Sequence, residues 1–150
     1  MSIRDMKRVT WIDPRDKPGL LHAVMEQCAG ASLISFEGSL EHFSFYKWPN
    51  ASYEETPVLK RQTISPKLDF VILPLDEESS KGMWKELAEK DHLVREGIIH
   101  VQIAIEGELV FGGYDNFDKE CTVAYKGLSE GFLQDLKERG TIGGYEHKYS

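Results

Sequence analysis

Five histidines, His22, His42, His92, His100 and His147, are spread so that each falls on a different segment of the chain. A metal centre needs at least three ligands at one point, so this scatter predicts no metal site, and nothing else in the sequence calls for a cofactor. His100 and Glu106 share the parity of one strand with Gln102 between them, a His and carboxylate pair of the kind that can act as a general base. The same alternation predicts that the three simply form a solvated strand face. Cys28 and Cys121 each lie in an apolar pattern and are expected as buried free thiols, which fits a reducing cytoplasm. The run Asp115-Asn116-Phe117-Asp118-Lys119-Glu120 offers oxygen ligands, yet it lacks the spacing and central glycine of an EF-hand loop and carries Lys119 among its carboxylates. It follows directly on Phe111-Gly112-Gly113-Tyr114. Paired glycines let backbone be approached closely, and an aromatic ring beside an Asp-Asn pair can grip a polar ligand or a partner. Tyr114, Asp115 and Asn116 are therefore candidate ligand-binding residues, while a bulge or tight strand exit accounts for the same glycines without a ligand.

No Gly-rich phosphate loop, His-Glu-x-x-His, Cys-x-x-Cys or Gly-x-Ser-x-Gly elbow occurs in the chain, so the expectation is a protein that is not an enzyme. With 18 basic against 25 acidic residues the formal charge is −7, which opposes nucleic acid and suits a basic protein partner. The pairs Lys7-Arg8 and Lys60-Arg61 read as solvated surface. No run reaches the roughly 18 apolar residues of a membrane span, the first residues lack an apolar signal core, and the sequon Asn50-Ala51-Ser52 reads as chance. A cytoplasmic protein is expected.

The elements that must position these groups can be read from periodicity. Residues 7–12 form a β-type run, and Asp13-Pro14-Arg15-Asp16-Lys17-Pro18-Gly19 then supplies turn formers and a helix start with Pro in the first turn. Leu20, Leu21, Val24 and Cys28 recur at helical spacing up to Gly30. Leu33, Ile34 and Phe36 lead to a turn near Gly38 to Glu41, after which Phe43, Phe45, Tyr46 and Trp48 are expected to return as a second strand. Residues 49–67 form a long polar connection, a linker or functional loop. Leu68 to Leu75 reads as a central strand, and Asp76 to Ser80 opens a helix with Met83, Trp84, Leu87 and Ala88 on one face, exiting at Gly97. Ile99, Val101, Ile103 and Ile105 alternate with polar residues up to a turn at Glu106-Gly107, with a partner strand from Leu109 to Tyr114. A short strand at Cys121 to Tyr125 precedes a last helix carrying Leu128, Phe132, Leu133 and Leu136.

The pattern predicts one α+β domain over residues 1–150, a mostly antiparallel sheet with helices packed on one face. It reads as two ferredoxin-like βαββ units plus a C-terminal helix. The two units, 7–48 and 68–114, share the form Ile-x-x-Glu-Gly-x-Leu at Ile34 to Leu40 and Ile103 to Leu109, a hint of duplication across the loop 49–67.

Residues 9–36, with Asp16-Lys17-Pro18-Gly19-Leu20-Leu21 opening a helix after a strand and Gly30-Ala31-Ser32-Leu33-Ile34 entering the next strand, resemble the opening of an ACT domain. Leu33 stands where that family usually has Asn. The resemblance implies an amino acid bound at the strand-to-helix turn, near Asp16, Gly19 and Leu20, and a chain that pairs with a second copy. The function expected first is thus a non-enzymatic small-molecule-binding or regulatory domain, possible as a homodimer. An acidic protein-binding module of the inhibitor or immunity type is the alternative, with Trp48, Tyr53 and Tyr114 as interface anchors. A small hydrolase-like enzyme using His100 and Glu106 comes third.

Overall fold

The computed structural model describes residues 8–149, apart from the side chains of His92 and Leu93. Lys7, the first residue of the expected opening strand, lies outside the described residues. The elements run β1 (Arg8–Pro14), α1 (Lys17–Cys28), β2 (Ser32–Gly38), a 3-10 turn (Ser44–Lys47), β3 (Asp69–Leu75), α2 (Glu77–Glu89), α3 (Asp91–Glu96), β4 (Ile98–Ile105), β5 (Glu108–Gly113), β6 (Thr122–Ala124), α4 (Glu130–Glu138) and β7 (Ile142–Tyr149). The strands form one seven-stranded sheet in the order β3-β2-β4-β5-β6-β1-β7, and every neighbouring pair is antiparallel. This is the α+β class with an antiparallel sheet that the sequence predicts.

Each long helix begins where a side chain satisfies a free backbone N–H. Asp16 accepts from the Gly19 N–H at 3.0 Å, Asp76 and Ser79 form a reciprocal capping box, and Ser129 accepts from Phe132; such caps contribute about 1 kcal/mol each. A Cβ on Gly19 would lie 2.3 Å from the Asp16 carboxylate, so glycine is what lets that carboxylate fold over the first turn. The helices cover one face of the sheet. Leu20, Leu21, Val24 and Met25 of α1, Met83 and Leu87 of α2, and Leu133 and Leu136 of α4 pack with Phe36, Val71, Leu73, Val101, Ile103 and Phe111 of the strands, all of them essentially without exposure. Cys28 joins this core, and burial pushes its thiol up to about 11; Cys121, expected to be buried too, is only partly so.

Two expectations are corrected here. The aromatic run from Phe43 to Trp48 is not a returning strand: Ser44–Lys47 is a 3-10 turn, pinned from outside by Glu86 of α2, whose carboxylate takes the Ser44 N–H, the Ser44 hydroxyl and the Phe45 N–H. The antiparallel neighbour of β2 is instead β3, thirty residues on, with Gly38 opposite Asp69. The last helix is also not the end of the fold. β7 follows it and pairs along its length with β1, from Arg8 opposite Tyr149 to Pro14 opposite Ile142.

The second face of the sheet is covered over its β3-β2-β4 half by the long connection. Leu59 is fully buried against Phe70, Ile72 and Ala104, and Ser52 makes a two-bond bridge to Ile72 at the β3 edge. The connection is thus a strap lying flat on the sheet. No described helix is long and apolar enough to cross a membrane.

Candidate binding trough along the first helix

Because α1 buries Leu20, Leu21, Val24, Met25 and Cys28, its outer side presents His22 and Glu26, one turn apart. The His22 ring nitrogen Nε2 lies 2.7 Å from Glu26 Oε1. Across from them α2 presents Trp84, whose ring lies flat on the His22 imidazole with centroids 4.2 Å apart and planes within 2°. The stacked pair stands beside a cleft of about 580 Å³ between α1 and α2, lined also by Glu77, Ser80, Lys81 and Lys85. A second cavity of about 590 Å³ lies on the other flank of α1, towards α4, where Asp16, Gly19, Asp135 and Arg139 line it. Both are lined by His22 and Glu26, so they meet over α1 as one trough.

The two halves differ in charge. On the α4 side Arg139 is held by Asp135 at 3.0 Å, leaving Asp16 and Glu26 as the remaining charged side chains. On the α2 side, Lys81 pairs with Glu77 at 3.5 Å. Lys85 has no carboxylate within salt-bridge distance among the described residues. That cleft is therefore lined by an ammonium group from α2, Lys85, and a carboxylate from α1, Glu26, beside the aromatic pair, and its volume falls within the range of small-molecule sites.

Of the residues singled out from sequence, Asp16 and Gly19 line the trough at the start of α1. Leu20 is fully buried, so its side chain is closed to solvent. Tyr114, Asp115 and Asn116 lie elsewhere, on a left-handed turn in which Asp115, Asn116 and Phe117 have φ of 50°, 58° and 56°. One bond links the two regions, from Lys17 Nζ to Asn116 Oδ1 at 3.3 Å. The space over the paired glycines is filled by the chain itself. A Cβ on Gly112 would meet the Tyr114 ring at 2.5 Å, and one on Gly113 the Phe117 ring at 2.6 Å. Asn116 spends its amide on the Val94 and Ile98 carbonyls.

His100 and Gln102 do not form a solvated face. They are 5% and 3% exposed, beneath the strap, and Glu106 is an exposed turn residue at φ 51°. Instead His100 meets Glu37, its cross-strand partner on β2, and the left-handed turn. Its Nδ1 accepts from the Asp115 N–H at 3.2 Å. A backbone N–H can only donate, so Nδ1 carries no proton, and the proton on Nε2 goes to the Thr63 hydroxyl at 2.7 Å. Burial lowers the His100 pKa, outweighing the opposite pull of Glu37 and Asp115. Glu37 accepts the Gln62 and Thr63 N–H groups, and Gln102 accepts from Lys60 and donates to Tyr114. Burial first, and then the Tyr114 hydroxyl, push the Tyr125 hydroxyl well above the ordinary tyrosine range. Every buried side-chain nitrogen and oxygen among the described residues has a partner. This cluster holds the strap down and keeps no group free for acid–base work.

Sequence reasoning placed Trp84 on the packing face of its helix and passed over His22 and Glu26. Their signal was a His-x-x-x-Glu spacing, which puts both side chains on one side of a helix. Among the described residues no group of three or more His, Cys, Asp or Glu side chains could hold a metal ion. No family model matches the chain, and neither a curated protein nor a solved structure does.

Proposed function

We propose that this chain is a non-catalytic module that binds a small zwitterionic metabolite of the amino-acid class in the α1–α2 cleft. The observation that carries the reading is the parallel His22–Trp84 stack, tied by Glu26, at the wall of a cleft that Lys85 of α2 also lines. Lys85, without a carboxylate partner among the described residues, supplies an ammonium for a carboxylate, the Glu26 oxygen that His22 does not engage can take an ammonium, and the aromatic wall takes an apolar or planar side chain. The resemblance of residues 9–36 to the opening of an ACT domain supports the same class of ligand, since Asp16 and Gly19 line the same trough. The satisfied cluster under the strap speaks against a hydrolase built on His100.

Thermal melting in the presence of each amino acid and common metabolite tests this. A native-state ligand at a hundredfold excess over its Kd adds about 2.7 kcal/mol, which in a domain of this size raises Tm by roughly 5–10 °C. One ligand class is expected to give such a rise, and Trp84→Ala and Lys85→Ala to abolish it while leaving far-ultraviolet circular dichroism unchanged. If nothing raises Tm, the small-molecule reading fails and a basic protein partner, suited by the charge of −7, takes its place.

A further inference from the structure

The two edges of the sheet are built differently. At the β3 edge Pro74 lacks an N–H, and Ser52 already occupies the Ile72 backbone groups in both directions; both features block a further strand. The opposite edge, β7, is eight residues long and proline-free, and it is the terminal strand of the sheet among the described residues. Its helix-side row is held in place. The Tyr145 hydroxyl donates to Glu130 of α4 at 2.9 Å, and His147 is held between that carboxylate and the Thr10 hydroxyl. Side chains already fixed in the free chain lose little freedom on association.

From this edge and its charge pattern we infer that β7 pairs antiparallel with β7 of a second copy of this chain, about a two-fold axis through His147. The register follows from geometry. A two-fold perpendicular to the sheet keeps both helix-bearing faces on one side, so each residue must meet one of its own parity, and the axis passes through a residue rather than between two. An axis through Glu146 would set Glu146 against itself, and one through Lys148 would do the same to Lys148, like charges directly opposed. An axis through Tyr145 would leave Glu146 opposite a glycine. Only the axis through His147 sets Glu146 against Lys148 of the second copy twice over. It also sets Tyr145 against Tyr149 of the second copy twice, on the helix side. Glu146, Lys148 and Tyr149 are all exposed in the single chain, Tyr149 at 56%.

Sedimentation equilibrium of the full chain over a range of concentrations tests the pairing, with melting curves to show that each variant folds. The wild-type chain is expected to dimerise. Glu146→Lys alone, or Lys148→Glu alone, places two like pairs across the axis and should weaken the dimer roughly tenfold or more. Combining both substitutions in one chain restores the pairs and the dimer. Mixing the two single variants should give a heterodimer tighter than either homodimer, because each positive pair then faces a negative one. A chain monomeric at every concentration overturns the proposal, as does a dimer indifferent to these reversals.

Discussion

Phe117 takes φ 56° while 1% exposed, a conformation that a large side chain rarely adopts and that costs on the order of 1–3 kcal/mol. Its neighbours show what holds it. Asp118 N–H reaches back to Tyr114 C=O, Asn116 N–H donates to Ile99, and the Thr122 hydroxyl closes on Asp118. The ring is seated against Phe111 and over Gly113. Gly113→Ala would drive a methyl to 2.6 Å from that buried ring, and overpacking of this kind costs about 1–3 kcal/mol. Urea titration should show a loss of that size. Gly144→Ala, where a Cβ meets nothing within 4 Å, should be close to neutral and serves as the control. An equal effect at both positions would refute the packing account. The glycine pair and the Asp-Asn pair were legible from sequence as a place of close approach. That the approaching groups are the chain's own Tyr114 and Phe117 was not, because residue types show that space is open and not what fills it.

At the scale of elements, capping chemistry and periodicity made α1, α2, α4, β3 and the β4–β5 hairpin readable, since each is set by residues within a few positions of one another. The misreadings share a physical cause. β7 carries two glycines and a charged stretch, and it is a strand because β1, far back in the chain, offers it an edge. Phe45 is a strand-type residue but lies in a 3-10 turn held by Glu86, more than forty positions away. The strap was legible only as a long polar connection. Its hold on the sheet comes from Glu37, a 2% exposed carboxylate whose two oxygens take the Gln62 and Thr63 N–H groups at 2.8 and 3.2 Å. Replacing Glu37 by Leu would remove the acceptor of both N–H groups; Gln62 is exposed and Thr63 half-buried, so the cost falls mainly on the Thr63 donor, about 1–3 kcal/mol at most. Hydrogen exchange followed by mass spectrometry should show residues 58–67 opening well before the helices in Glu37→Leu. Glu37→Gln, which keeps one acceptor oxygen, should fall between that variant and wild type. Unchanged exchange in the strap would show that Leu59 packing, not Glu37, secures it.

For the whole molecule, His100 joins three parts of the fold: it stands on central strand β4, holds the strap through Thr63, and receives the left-handed turn through Asp115. The bond from the Asp115 N–H requires an unprotonated Nδ1 and so the neutral ring, and burial is the first cause of its lowered pKa. The unfolded chain protonates the same imidazole near its ordinary value of about 6.5. Between that value and the lower one in the folded chain, the unfolded state therefore binds more protons, so the free energy of unfolding falls as pH falls. The contribution of neutral His100 is fully present above pH about 6.5, shrinks below it, and stops shrinking once the folded chain itself takes up the proton. One such group sets a slope no steeper than about 1.4 kcal/mol per pH unit. Denaturant melts between neutral and mildly acidic pH should show that decline in wild type and a flatter line in His100→Gln, whose amide can occupy the same position without titrating. Should the two chains lose stability in parallel as the pH is lowered, the burial of a neutral imidazole at the junction of β4, strap and turn would not be what makes the fold acid-sensitive.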